Sequence, residues 1–294
     1  MGNISTEHPT QQDFEAIQEI IDVSLAIDEE SFQRKIDKMR RFIQFLFAPT
    51  LVGAENIPDG PALFVANHST MAADVLVAMP LLTHAAGRAI RGMSDEIMYR
   101  YPKARRHIAA SGAVMGNQAI GDALFDVGKD VLLFPGGAHE ANKDLSERYE
   151  IKWKERTGFV RLAARHGVPI VPVGIVGPDE WFGRYMDRDE VRHSFVGKLM
   201  SFGAPGDDFL QSDQVPPIPK GLFGTMIPKP KRAYLAIGEP VDTLCYKSTE
   251  PSLKAQRALR DQVRERLRGC IDDMLRLQAQ ESDKTGMIRK LLTI

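Results

Sequence analysis

The first place where this chain could move a proton is Asn67-His68-Ser69-Thr70-Met71-Ala72-Ala73-Asp74. An imidazole held at one nitrogen by an ionised carboxylate can use the other as a base toward a hydroxyl. On one continuous helix His68 and Asp74 would face different ways, because each residue turns about 100°. They meet only if His68 stays in a loop and Asp74 sits early in the next helix, with Ser69 or Thr70 capping it. A helix start also favours the carboxylate as an anion. The competing reading is a histidine that merely ties the loop together. A second constellation weighs against it: the apolar run Val131–Phe134 ends in Pro135-Gly136-Gly137 and delivers His139 and Glu140. Glycines there let backbone N–H groups approach a substrate oxygen or phosphate.

Common alternatives are missing. The nearest approach to a G-x-S-x-G elbow, Gly92-Met93-Ser94-Asp95-Glu96, lacks the second glycine. There is no Walker A lysine, no G-x-G-x-x-G after a strand, and no H-E-x-x-H, since Ala141–Lys143 follow His139-Glu140. Cys245 and Cys270 form neither a disulfide framework nor a metal spacing.

The elements that must position these residues alternate. Leu63–Ala66, Val131–Phe134 and Pro169–Val176 read as buried strands, continuous in apolar residues because both faces of the sheet are covered. Val75–Leu82, Ala119–Val127 and Thr157–His166 read as helices between them. That order predicts an α/β fold with a largely parallel central sheet flanked by helices, N-terminal amphipathic helices and a C-terminal helix. A histidine at the carboxyl end of such a strand lies where open sheets place their sites. Three segments follow: a helical, membrane-associating segment at 1–49; an α/β core at 50–245 with an irregular, Pro- and Gly-rich insertion at 178–230; and an amphipathic helix with its tail at 246–294. Lys231–Ile237 reads as a further strand. In the final helix, from about Ser252 to Gln280, Leu259, Val263, Leu267, Ile271 and Met274 form one stripe, with Arg257, Arg260, Arg264 and Arg268 elsewhere.

With 294 residues, 43% of them hydrophobic, and a net charge of -1, the chain has an ordinary globular composition and gives no global reason to expect nucleic acid as a partner. No run reaches the 18 or so apolar residues of a spanning helix. The first 30 residues hold eight acids and no Lys or Arg, unlike a secretory or transit leader, which points to the cytoplasm. Met1–Thr6 satisfies a loose myristoylation pattern and is read as chance. Ser31–Phe47 combines five basic residues with Phe42, Ile43, Phe45, Leu46 and Phe47. Such a helix can lie in a lipid interface or pack its apolar face on the body of the protein, and the two are compatible. The expected location is therefore the inner face of a membrane, held peripherally.

Asn67-His68 with Asp74, Phe134–Glu140, Arg156-Thr157-Gly158-Phe159, Val168–Val173 and Gly238-Glu239-Pro240 occur in this order. Over residues 50–245 the chain thereby resembles the glycerophospholipid acyltransferase superfamily, which includes bacterial lysophosphatidic acid acyltransferases. It is more similar to the neutral-lipid branch around diacylglycerol acyltransferases and phytyl ester synthases. The resemblance implies acyl transfer from acyl-CoA, or an acyl carrier protein, to a lipid hydroxyl at a membrane surface, with no metal or resident cofactor. It implies His68 and Asp74 as the catalytic pair and Phe134, Pro135, Gly136, Gly137, His139 and Glu140 as substrate-binding residues. Backbone amides near Gly136 and Gly137 are the expected oxyanion donors. Arg88, Arg91, Arg105 and Arg106 could meet CoA phosphates but read more simply as solvated surface side chains. Two departures matter. Five residues separate His68 from Asp74 where the family has four, so that Ala73 stands at the expected carboxylate and the loop must bulge or the pair loosen. Gly136 and Asn117 stand where phosphate-binding members carry Glu and Arg, which favours a neutral acceptor. A conventional lysophospholipid acyltransferase, a thioester hydrolase using the same pair, and a silent lipid-binding protein are the rival readings.

Overall fold

The structure, a computed structural model, describes residues 11–203 and 209–281. The Met1–Thr6 pattern and the tail after Glu281 lie outside the described residues. Two N-terminal helices, α1 (Gln11–Leu25) and α2 (Glu29–Phe47), precede the sheet. The chain then runs through β1 (Thr50–Val52), β2 (Leu63–Ala66), α3 (Val75–Ala86), β3 (Ile90–Ser94), α4 (Pro102–Ala110) and β4 (Ala113–Met115). It continues with α5 (Gln118–Asp126), β5 (Asp130–Leu133), α6 (Gly137–Ala141), α7 (Gly158–His166) and β6 (Ile170–Val176). The insertion holds β7 (Gly183–Met186), α8 (Arg188–His193), α9 (Phe195–Gly203) and β8 (Ile218–Lys220); β9 (Tyr234–Ile237) and α10 (Leu253–Glu281) follow.

Seven strands form one sheet in the order β1-β9-β6-β2-β5-β3-β4. Strands β6, β2, β5, β3 and β4 run parallel, whereas β9 is antiparallel to β6 and carries β1 parallel to itself. Every residue of β2, β6 and β9 is buried, as an apolar run covered on both faces requires. The expected α/β architecture is the observed one. Strand β9 starts three residues later than Lys231, because Ala233 donates to the Phe47 carbonyl outside the ladder. Helix α10 lies on β6 and β9, and its stripe of Leu259, Val263, Leu267, Ile271 and Met274 is buried. The close approach needs Gly174, where a Cβ would come within 2.6 Å of the Cys270 Cβ. Arg260 is buried as well, bonded to Asp261 and Glu155.

Helix α2 starts at Asp28, whose carboxylate accepts from the Ser31 N–H at 2.8 Å, and packs along α3. Its Phe32, Ile36, Ile43 and Phe47 are buried, each worth roughly 1.5–3 kcal/mol of removed apolar surface. Phe42 and Phe45 point outward. Ile43 and Phe47 thus pack on the body of the protein, whereas Phe42 and Phe45 do not. No helix among the described residues is long and apolar enough to cross a membrane.

Candidate active site

Adjacent parallel strands β2 and β5, in register Leu63↔Val131 to Val65↔Leu133, open at the same edge of the sheet. The loop after β2 carries His68 and the turn after β5 carries Phe134–Glu140, so the topology joins two motifs that lie far apart in the chain. Asn67 sets the start of the loop. Its side-chain amide donates to the Ile175 carbonyl at 2.9 Å and accepts from the Ile175 N–H at 2.8 Å, extending the β2–β6 ladder with a side chain.

His68 Nδ1 lies 2.8 Å from Asp74 Oδ2 and 3.0 Å from Oδ1. The extra loop residue has not loosened the pair. Met71 (φ 61°) and Ala72 (φ 54°) are both left-handed and coil the surplus length into a short 3₁₀ turn. Asp74 thereby reaches the start of α3, where its N–H donates to Ser69 Oγ at 2.9 Å and its carboxylate accepts from the Ser69 N–H at 3.1 Å. Ser69 closes the loop, but Asp74 itself stands at the N-cap of α3, so neither Ser69 nor Thr70 caps that helix as expected. The loop bulges; the contact stays tight.

The imidazole stacks on the Phe134 ring, with centroids 4.2 Å apart and planes within 19°. Its side chain is 11% exposed, and Nε2 makes no hydrogen bond with a described residue. Burial disfavours the charged ring, but the Asp74 carboxylate beside it outweighs burial, and the His68 pKa is raised above its ordinary value. An imidazole held in this way keeps Nε2 as its basic nitrogen.

Beneath the loop lies a pin with no local sequence signal. The Lys143 ammonium donates to the His68 carbonyl at 2.8 Å and pairs with Asp179 at 2.8 Å; both side chains are fully buried. Asp179 also accepts from the Thr70 N–H at 2.8 Å and the Tyr149 N–H at 3.1 Å. From the insertion, Arg184 donates to Thr70 Oγ1 at 2.9 Å and to the Lys143 carbonyl at 3.1 Å. Lys143, Asp179 and Arg184 were missed because Lys143 lies 36 or more positions from the other two and no spacing rule links them.

The β5 turn divides its residues between roles. Phe134 supports the imidazole. Glu140 is fully buried against Gly136, where a Cβ would collide with the carboxyl group. Its Oε2 has no hydrogen-bond partner, and the backbone N–H groups of Lys152 and His68 face the carboxylate. Burial pushes the Glu140 carboxyl up to about 7 against the pull of Lys143 and His68. His139 turns away from the dyad and bonds Asp213 Oδ1 through Nδ1 at 3.0 Å. The Gly137 N–H closes the turn on the Phe134 carbonyl at 3.0 Å, so it is engaged and unavailable to an oxyanion. Pro135 offers its carbonyl to Arg156 at 2.7 Å. Asn117 caps α5 through Ala119 N–H. Of the four arginines expected at the surface, Arg106 is exposed, but Arg91 is completely buried between Ser24 and Glu29. Arg88 pairs with Asp130, and Arg105 with Glu19 and the Tyr99 carbonyl.

Residues 48–176 match the family model described as Acyltransferase. An uncharacterized protein of Mycobacterium tuberculosis is 30% identical over 81% of this chain and 64% of its own length. Phytyl ester synthase 1, chloroplastic, of Arabidopsis thaliana is 30% identical over 65% of this chain and 29% of its own. The Gallus gallus protein named DGAT1/2-independent enzyme synthesizing storage lipids is 32% identical over 42% of this chain and 37% of its own. The chain thus spans less than two thirds of the length of each of these relatives.

Proposed function

We propose that this chain, whose residues 48–176 match the family model described as Acyltransferase, moves a fatty acyl group from an acyl thioester to the hydroxyl of a neutral lipid alcohol. The observation that carries the reading is the His68–Asp74 contact of 2.8 Å beside an unbonded Nε2. In the proposed step Nε2 removes the proton of the acceptor hydroxyl as its oxygen attacks the thioester carbonyl carbon. The C–S bond then breaks, and the thiolate takes that proton back from the imidazolium, leaving ester and thiol. Asp74 holds the ring and stabilises its charged form. Phe134 keeps its plane. No covalent link to the protein is needed.

Two points favour a neutral acceptor. Lys143, Arg156 and Arg184, the cations that bond the His68 loop and the β5 turn, are engaged with protein oxygens. Relatives named for phytyl esters and storage lipids point the same way. The donor is read as acyl-CoA, and the setting as a membrane surface that α2 meets through Phe42 and Phe45 beside its basic residues.

The deciding experiment incubates the purified chain with labelled acyl-CoA and a panel of lipid alcohols and identifies the ester. A neutral glycerolipid or long-chain alcohol ester is expected. Removal of the base in His68→Ala lowers turnover about 10²- to 10⁴-fold without unfolding the chain. A folded alanine variant with full activity would remove the dyad from the mechanism, and free fatty acid as the product would make the enzyme a hydrolase.

A further inference from the structure

The part of the insertion between Ile218 and Lys231 has a composition unlike the rest of the surface. It carries Lys220, Lys229 and Lys231 and no acidic residue. Its apolar side chains stand outward: Phe223 is 84% exposed, Met226 67% and Ile227 59%. Only Lys231 faces a carboxylate, Glu180 at 3.9 Å, while Lys220 lies 5.4 Å from the Tyr185 ring centroid. Exposed large apolar side chains in a segment with three lysines and no acid are what an anionic, partly apolar surface would select.

The backbone is built to hold them there. The N–H groups of Gly221 and Leu222 donate to the Thr225 and Ile227 carbonyls at 2.6 and 2.7 Å, closing a tight tip. Phe223 adopts φ 51° at that tip, a left-handed conformation unfavourable for an aromatic residue, and it is fully displayed rather than packed. Strain of this kind persists only where the surroundings impose it. Here Tyr185 imposes it by donating its hydroxyl to the Gly224 carbonyl at 2.9 Å.

The arm is also rooted at the reaction centre. Strands β7 and β8 pair antiparallel, and Trp181 ties the root twice, accepting from the Lys229 N–H at 3.0 Å and donating Nε1 to the Lys231 carbonyl at 2.9 Å. Arg184 of β7 bonds Thr70 in the loop that carries His68.

We propose that the 218–231 arm is a second lipid-contacting surface, distinct from α2. Phe223, Met226 and Ile227 enter the headgroup–acyl boundary of an anionic phospholipid bilayer, and Lys220 and Lys229 meet its headgroups. This rests on the peripheral-membrane part of the proposed function and names the surface that brings the His68 edge of the sheet to the lipid. It does not depend on the acyl-transfer chemistry.

Flotation of the full chain with phosphatidylcholine vesicles, with and without phosphatidylglycerol, tests it. The triple variant Phe223→Ser, Met226→Ser, Ile227→Ser is expected to partition at least about tenfold less, while thioester consumption with a water-soluble alcohol stays at the wild-type level. Lys220→Gln with Lys229→Gln should reduce the preference for phosphatidylglycerol and its salt sensitivity without changing binding to phosphatidylcholine alone, and an unchanged preference overturns the proposal if the triple variant fails to fold. The proposal falls if wild type binds no vesicle or if the folded triple variant floats like wild type. It falls too if Phe42→Ser with Phe45→Ser alone abolishes binding, or if the triple variant instead changes the oligomeric state. Failure of the wild-type chain to transfer an acyl group would refute the catalytic reading and leave the flotation result standing.

Discussion

Met71-Ala72, in the loop between β2 and α3, and Phe223, at the tip of the 218–231 arm, are non-glycine residues in the left-handed region. They serve opposite ends. In the loop the strain is tied down by buried partners: Asp179 and Arg184 on Thr70, Ser69 on Asp74, Lys143 on the His68 carbonyl. What results is a fixed distance between two buried side chains. At the arm one tyrosine hydroxyl and two short turn bonds impose the strain, and the result is an aromatic ring delivered to solvent. Unfavourable backbone geometry is therefore no signature of chemistry in itself. Whether it serves a reaction or a surface is decided by what the strained residue holds in place.

The comparison can be broken most severely at its buried end. Asp179→Ala leaves the Lys143 ammonium uncompensated in a dry site and frees two N–H groups, so urea unfolding should show a loss of about 3–5 kcal/mol. A loss within 0.5 kcal/mol, ordinary for a surface site, would mean that the pin does not hold the loop. Asp74→Asn acts on the chemistry instead. Since Asp74 raises the His68 pKa, the acid limb of the pH–rate profile lies above the ordinary value of 6.5 in the wild type. Without the carboxylate that limb should move to lower pH, while the plateau falls about 10²-fold or more. An unmoved limb would show that another group sets the titration. Smallest and most pointed is the pair Ala72→Gly and Phe223→Gly. Each should raise stability by about 1 kcal/mol through relief of the left-handed backbone. Only the second should weaken vesicle flotation, and equal effects on flotation would erase the distinction between the two regions.

Much of the architecture is legible in the chain because β2, β5 and β6 are continuous apolar runs and the α10 stripe is regular over many turns. The edges are not. Strand β3 contains Arg91 and Gly92, a combination that reads as surface, yet Arg91 is buried, with Ser24 and Glu29 from the N-terminal helices bonding its Nε and Nη2. Strands β1 and β4 are three residues each, too short to show periodicity, and nothing local tells β9 to run against β6. At the site, the His68–Asp74 contact could be read from a histidine kept in the loop and an aspartate at the start of α3, though not from the expected Ser69 or Thr70 cap. The separation of Glu140 from His139 could not, because it depends on Gly136 making room for one side chain and on Asp213, 74 residues away from His139, attracting the other.

The coiled Met71-Ala72 step shows that the interval in the chain between an imidazole and the carboxylate it touches is not fixed by the contact itself. Handedness can absorb a surplus residue and return the two ends of the loop to the same separation. A motif written as a fixed count of intervening positions would discard this chain, although the atoms that matter are in contact. Searches for relatives of this kind should score the distance a loop can close rather than the number of letters it contains.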